Sequence, residues 1–165
     1  VSPRAVLVGA PGAGKTTVGR LLADRLGVPF LDADSAIEAE AGKPIPEIFF
    51  DEGEEHFRAL ERATVAATLE SFDGVFALGG GAILAAETRK ALAGHTVVYL
   101  EVGFADALSR VGLGAGRPLL AINPRATLKH LLDQRRPLYE EVATVTVVTD
   151  GLDPDAIAAD LAARL

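Results

Sequence analysis

The stretch Gly-Ala-Pro-Gly-Ala-Gly-Lys-Thr-Thr at residues 9–17 constrains this chain more than any other. It follows the apolar run Ala-Val-Leu-Val at 5–8 and reads Gly9-x-x-x-x-Gly14-Lys15-Thr16, the spacing of a phosphate-binding loop. Gly9, Gly12 and Gly14 let the backbone curl until its N–H groups face an anion. A helix starting near Lys15 adds the positive end of its dipole. Lys15 can then reach the terminal phosphates of a nucleotide, and the Thr16 hydroxyl can ligate Mg²⁺. The plainer alternative is a glycine-rich turn with an exposed lysine. The context weighs against it: the pattern sits directly between a first strand and a helix.

That alternation continues along the chain. Lys15 to Leu26 carries Val18, Leu21, Leu22 and Leu26 at helical spacing, and Gly27 stops it. A second strand is expected over 29–34, ending in two acids, and a helix over 35–41. Residues 46–70 read as one or two helices broken near Gly53. A third strand over 74–82 runs into the triplet Gly79-Gly80-Gly81. Helix 85–93, strand 95–102, helix 104–111, a loop at 112–124, helix 125–139, strand 143–149 and helix 154–164 complete the pattern. Five strands alternating with helices predict an α/β fold with a parallel sheet covered on both faces, and a ligand at the carboxyl ends of the strands.

Length and charge narrow the function. The 165 residues suit one domain, residues 1–165, and the net charge of -7 excludes a protein that coats nucleic acid. An anionic ligand must therefore be drawn by local groups. No apolar run approaches a membrane span, and there is no cysteine for a disulfide or thiolate metal site. A cytoplasmic monomer is expected, with no nucleic-acid or membrane partner. The sole asparagine, Asn123, precedes Pro124, so the guanine-reading motif Asn-Lys-x-Asp is missing and a small ATP-dependent kinase is the leading class.

An acceptor site can be sketched from the remaining motifs. Asp32 and Asp34 stand two apart at the end of the second strand, where alternate residues share a face. One carboxylate could hold Mg²⁺ while the other takes a proton from an attacking hydroxyl. Equally, Asp34 could cap the following helix. Arg58 and Glu61 lie at i, i+3: either a surface ion pair, or Glu61 orienting Arg58 toward a ligand carboxylate. Three glycines at 79–81 allow close approach of backbone to ligand, or simply a flexible turn. Arg117, in a glycine-bounded loop, has the placement of a lid arginine that neutralises phosphoryl charge. Arg135 and Arg136 near a helix end would also suit the helix dipole.

Together, GAPGAGKTT, LDAD, FRALE, LGGGA, GRPLL and RRPLY occur in the order, and at nearly the spacing, found in shikimate kinases, and the chain resembles that family over essentially its whole length. The resemblance implies a three-layer P-loop kinase fold of strand order 2-3-1-4-5 with a mobile lid at about 112–124. It implies transfer of the ATP γ-phosphoryl group to the 3-hydroxyl of shikimate, in the pathway to chorismate and aromatic amino acids. On the nucleotide side, Gly12, Ala13, Gly14, Lys15, Thr16, Thr17 and Arg117 match phosphate contacts, while Arg110 and Pro154 match the pair that sandwiches adenine. Thr16 and Asp32 match the residues associated with one Mg²⁺. Asp34 matches the acid on the shikimate hydroxyls, Arg58 and Arg135 the arginines on its carboxylate, Gly80 within the triplet 79–81 a backbone contact, and Phe49 and Phe57 the pocket aromatics. Lys15, Asp34 and Arg117 are thus the implied catalytic groups. The last adenine loop departs from the family in carrying Leu152 where a polar or basic residue is common, and the lid sequence Gly-Leu-Gly-Ala-Gly is unusually plain.

Overall fold

Strand β1 (Ala5–Val8) is buried at every position, as its unbroken apolar run requires of a strand covered on both faces. In the computed structural model, which describes residues 1–103 and 124–165 (the side chains of Pro124 and Leu128 excepted), β1 is the central strand of five. It is followed by α1 (Lys15–Leu26), β2 (Phe30–Asp32), α2 (Ala33–Ala41), α3 (Ile45–Ser71), β3 (Val75–Ala77), α4 (Ala86–Ala91), β4 (Val97–Glu101), α5 (Pro124–Val142), β5 (Val145–Val148) and α6 (Pro154–Arg164). The sheet order is β2-β3-β1-β4-β5 and every pairing is parallel, which is the topology the resemblance implies. β1 registers with β3 through Leu7 and Ala77, and with β4 through Val8 and Tyr99. The expected helix over 104–111 and the lid, apart from Pro124, which opens α5, lie outside the described residues. No helix among the described residues is long and apolar enough to cross a membrane.

Several boundaries differ from the sequence pattern. The second strand stops at Asp32, not Asp34, because the Asp32 side chain accepts the Asp34 N–H at 2.9 Å and starts α2 there. Asp34 is therefore in the first turn of a helix, and the strand-face argument does not apply to it. The third strand ends at Ala77, and the glycine triplet lies beyond it, leading into a 3₁₀ turn at Ala82–Leu84. α5 runs to Val142, past the expected end at 139, and contains Pro137. The break at Gly53 is present inside α3, with φ 87° and ψ 166°.

Two contacts fix elements near the loop. Gly19 lets α1 lie flat on the sheet: a Cβ there would collide with the Phe30 ring and come within 3.0 Å of Leu7 Cδ1. On the other side of the core, Tyr139 of α5 stacks on Tyr99 of β4 with ring centroids 5.1 Å apart. Tyr139 is 1% exposed, and burial pushes its phenol from 10.0 up to about 12, with the nearby Arg135 acting against the shift.

Two stability measurements check these contacts. Gly19→Ala should destabilise the protein by roughly 1–3 kcal/mol in urea unfolding, despite the better helix propensity of alanine. Phe30→Leu in the same chain should recover part of that loss, revealing direct coupling. The Tyr139 phenol ionises near 10.0 in the unfolded chain but near 12 in the fold, so its contribution is intact below pH 10 and is lost on rising to 12. Tyr139→Phe should flatten the stability curve across that interval by about 2–3 kcal/mol.

Candidate active site

The loop after β1 has the form its glycines allow. Gly12 and Gly14 take φ of 82° and 89°, a region in which side-chain-bearing residues are strained, and Gly14 caps α1. Ala13 is buried beneath the loop, and its N–H bonds Ala10 O at 3.1 Å. Lys15 Nζ donates to Gly9 O at 2.8 Å and Ala10 O at 3.2 Å, so the ammonium lies along the loop. The Thr16 hydroxyl donates to Asp32 Oδ2 at 3.1 Å. That places two hard oxygen donors side by side at the start of α1, a chemistry suited to Mg²⁺ completed by phosphate and water. Among the described residues, no cluster of three or more His, Asp or Glu could hold a metal ion.

A cavity of about 210 Å³ joins this loop to the acceptor motifs. Gly12, Gly14, Lys15, Thr16 and Thr17 line it together with Asp32, Asp34, Gly79 and Gly80, and Pro11, Ala77 and Leu78 complete the wall. Arg58, Glu61 and Gly81 line a neighbouring cavity of about 240 Å³ with Glu54. The glycine triplet contributes to both.

Side chains far apart in sequence meet at the triplet. None of the three glycines has a positive φ, so space, not backbone conformation, requires them. A Cβ on Gly79 would lie 2.8 Å from Asp34 Oδ1 and 3.2 Å from Glu61 Oε2. On Gly80 it would meet Pro11 Cδ at 3.0 Å and Arg135 Nη1 at 3.5 Å, and on Gly81 the Arg58 guanidinium at 2.6 Å. Four charged side chains thus abut three residues, and the flexible-turn alternative is set aside.

The Arg58–Glu61 pair is not a surface ion pair. Arg58 Nη1 donates to Glu61 Oε1 at 2.8 Å, with the Glu61 side chain only 4% exposed. Burial raises the Glu61 pKa, Arg58 draws it back down, and the Asp34 charge adds to the rise. Arg58 Nε also faces Glu54 Oε2 at 3.5 Å, and its guanidinium lies over Phe57 at 5.2 Å. Phe49 and Phe57 would be about 12 Å apart along a straight helix. The bend at Gly53 instead brings their rings to 4.9 Å, over a small core of Ile37, Ile48 and Phe57.

Arg135 is 4% exposed, and its Nε has no hydrogen-bond partner among the described residues, whereas the adjacent Arg136 is exposed. A buried guanidinium N–H with no acceptor among the described residues is suited to an acceptor supplied by a ligand. Pro154 begins α6 and does not line the loop cavity. Arg110 and Arg117 lie outside the described residues. Two features went unread in the sequence: the capping of α2 by Asp32, and Tyr139, whose O–H reaches Gly80 O at 2.6 Å.

Comparison with known proteins bears on the family and the fold. The family model described as shikimate kinase matches residues 11–165. A shikimate kinase from Salinispora arenicola is 68% identical over 100% of this chain and 99% of its own. One from Thermobifida fusca is 61% identical over 98% and 94%. Among solved structures, the shikimate kinase from Acinetobacter baumannii in complex with shikimate superposes with a TM-score of 0.92 at 42% identity, covering 98% of this chain and 90% of that one. With its loop, its parallel sheet and its full-length relatives in agreement, the chain belongs to the shikimate kinase family.

Proposed function

We propose that the two halves of this site divide the family's reaction, ATP-dependent phosphorylation of shikimate, between them. The loop and the first turn of α1 take the nucleotide: the backbone N–H groups of Gly12 and of Gly14 to Thr17, with the dipole of α1, face the phosphates, while the Ala13 N–H is spent on Ala10 O. Lys15 exchanges its two loop carbonyls for phosphate oxygens. Thr16 and Asp32 would hold Mg²⁺, which when bound neutralises developing phosphate charge. The observation that carries the reading is that Lys15, Thr16, Asp34 and the Gly79–Gly80 backbone line one cavity.

On the acceptor side, Asp34 binds the shikimate 3-hydroxyl and takes its proton as the oxygen attacks the γ-phosphorus. Arg58 and Arg135 hold the carboxylate, with Phe49 and Phe57 walling the ring. Three features support this. The two guanidiniums approach the same triplet, Glu61 fixes one of them, and the other has a buried N–H with no acceptor among the described residues. Both carboxylate partners being charged, each contact is worth roughly 1.5–3 kcal/mol. Much of the rate then comes from aiming one hydroxyl at phosphorus. The roles of Arg117 on the phosphates and of Arg110 and Pro154 on adenine rest on the motif matches, as does a lid over 112–124.

Kinetic measurements test the division. With a panel of shikimate, gluconate and nucleoside monophosphates, ATP consumption should rise with shikimate alone; turnover of another acceptor would favour a related kinase. Lys15→Ala should abolish turnover without lowering the melting temperature. Arg58→Ala and Arg135→Ala should each raise the shikimate KM by about 10- to 100-fold with little change in the KM for ATP. Asp34→Asn should instead cut kcat by about 100-fold or more, and near-normal turnover would remove Asp34 from the base role.

A further inference from the structure

The glycine triplet has a tether that the roles above leave unused. Tyr139 lies one helical turn beyond Arg135 and donates its phenol O–H to Gly80 O at 2.6 Å, at the short end of such bonds. Its ring is 1% exposed and stacked on Tyr99, so two packed elements set the position of the hydroxyl. Burial holds the phenol pKa near 12, and the group keeps its proton throughout any working range.

Gly80 O and the Gly81 N–H belong to one peptide plane. The peptide is trans, so the two groups point in opposite directions, and fixing the carbonyl toward α5 aims the N–H away from it. Neither the Gly80 nor the Gly81 N–H donates to a group among the described residues, whereas Ala82 N and Leu84 N bond back to Gly79 O and Gly81 O, each at 3.1 Å. Glycine on both sides of the plane gives it little intrinsic preference of orientation.

We propose that Tyr139 is a positioning residue for the acceptor: by holding Gly80 O it fixes the Gly80–Gly81 peptide so that the Gly81 N–H is presented to shikimate. The inference rests on the acceptor reading of Gly80 and Arg135 given above. It also has a defined competitor. Arg135 lies beside the phenol, and Tyr139 could act by steadying that guanidinium instead.

Tyr139→Phe keeps the ring stack and removes only the hydroxyl. Tyr99→Phe is the matched control, since it alters the same stack without touching Gly80. The full chain carrying Tyr139→Phe should show a shikimate KM raised about 5- to 30-fold, with kcat and the KM for ATP within about 3-fold of the original. Tyr99→Phe should leave the shikimate KM unchanged. In ¹⁵N-glycine-labelled protein, shikimate should shift the Gly81 amide resonance, and the shift should shrink in Tyr139→Phe. The inference is overturned by an unchanged shikimate KM, by a rise shared with Tyr99→Phe, or by a Gly81 response in Tyr139→Phe equal to the original, which would assign the effect to Arg135. If Tyr139→Phe melts below the assay temperature, the unsubstituted protein still decides: a Gly81 amide that ignores shikimate defeats the proposal. Arg135→Ala separates the two levels, since a normal shikimate KM in that variant defeats the acceptor reading itself.

Discussion

The lack of side chains at Gly79, Gly80 and Gly81 is the constraint on which the acceptor side depends. Asp34 and Glu61 reach the first, Arg135 the second and Arg58 the third, all within 3.5 Å of where a Cβ would stand. Two carboxylates and two guanidiniums meet there, so the cluster is close to neutral although the chain carries a net charge of -7. Local balance of this kind reconciles an acidic protein with an anionic ligand, because long-range repulsion is screened while short charge-assisted contacts are not. The groups are also mutually dependent. Glu61 is buried with its pKa raised by desolvation and by Asp34, while Arg58 and Arg135 oppose that rise. Removing one guanidinium would leave a buried carboxylate short of a partner, which costs more than an exposed ion pair could return.

The bend at Gly53 serves the same cluster from a distance. A straight α3 would carry Phe49 well away from Phe57, and the turn containing Arg58 would have no apolar floor. With φ at 87°, Gly53 takes a conformation that costs other residues strain, and the two rings close to 4.9 Å beneath the guanidinium. The arginine is held between an aromatic face, a carboxylate and a backbone, so few of its rotamers remain for binding to restrict.

Much of this was legible in the residues alone. Local signals announced the phosphate loop, the alternating elements and the break at Gly53, because each is written in consecutive positions. The period along α5 also carried more than was drawn from it. Leu132, Arg135 and Tyr139 fall at i, i+3 and i+7 and are all buried, so the inward face of that helix includes an arginine, while Arg136 falls outside it. What stayed hidden was tertiary. The Tyr139–Gly80 bond joins residues 59 apart and leaves no periodic trace. The end of β2 was misplaced for a different reason: an aspartate finishing a strand and an aspartate starting a helix look alike in sequence, and only the backbone decides which of Asp32 and Asp34 is the cap.

Asp32 shows why that distinction matters to the chemistry. Its Oδ1 accepts the Asp34 N–H at 2.9 Å and its Oδ2 accepts the Thr16 hydroxyl at 3.1 Å, so one carboxylate touches both halves of the site. β2 is an edge strand, separated from β1 by β3, a lateral span of about 10 Å that the loop and the first turn of α1 cross. A carboxylate has two oxygens and about four acceptor positions. The one facing Thr16 can therefore turn to other partners while the one capping α2 keeps Asp34 in place. The helix that carries Asp34 is thus tied to the start of α1 through one carboxylate, and the separation of Asp34 from the phosphate loop is built into the fold.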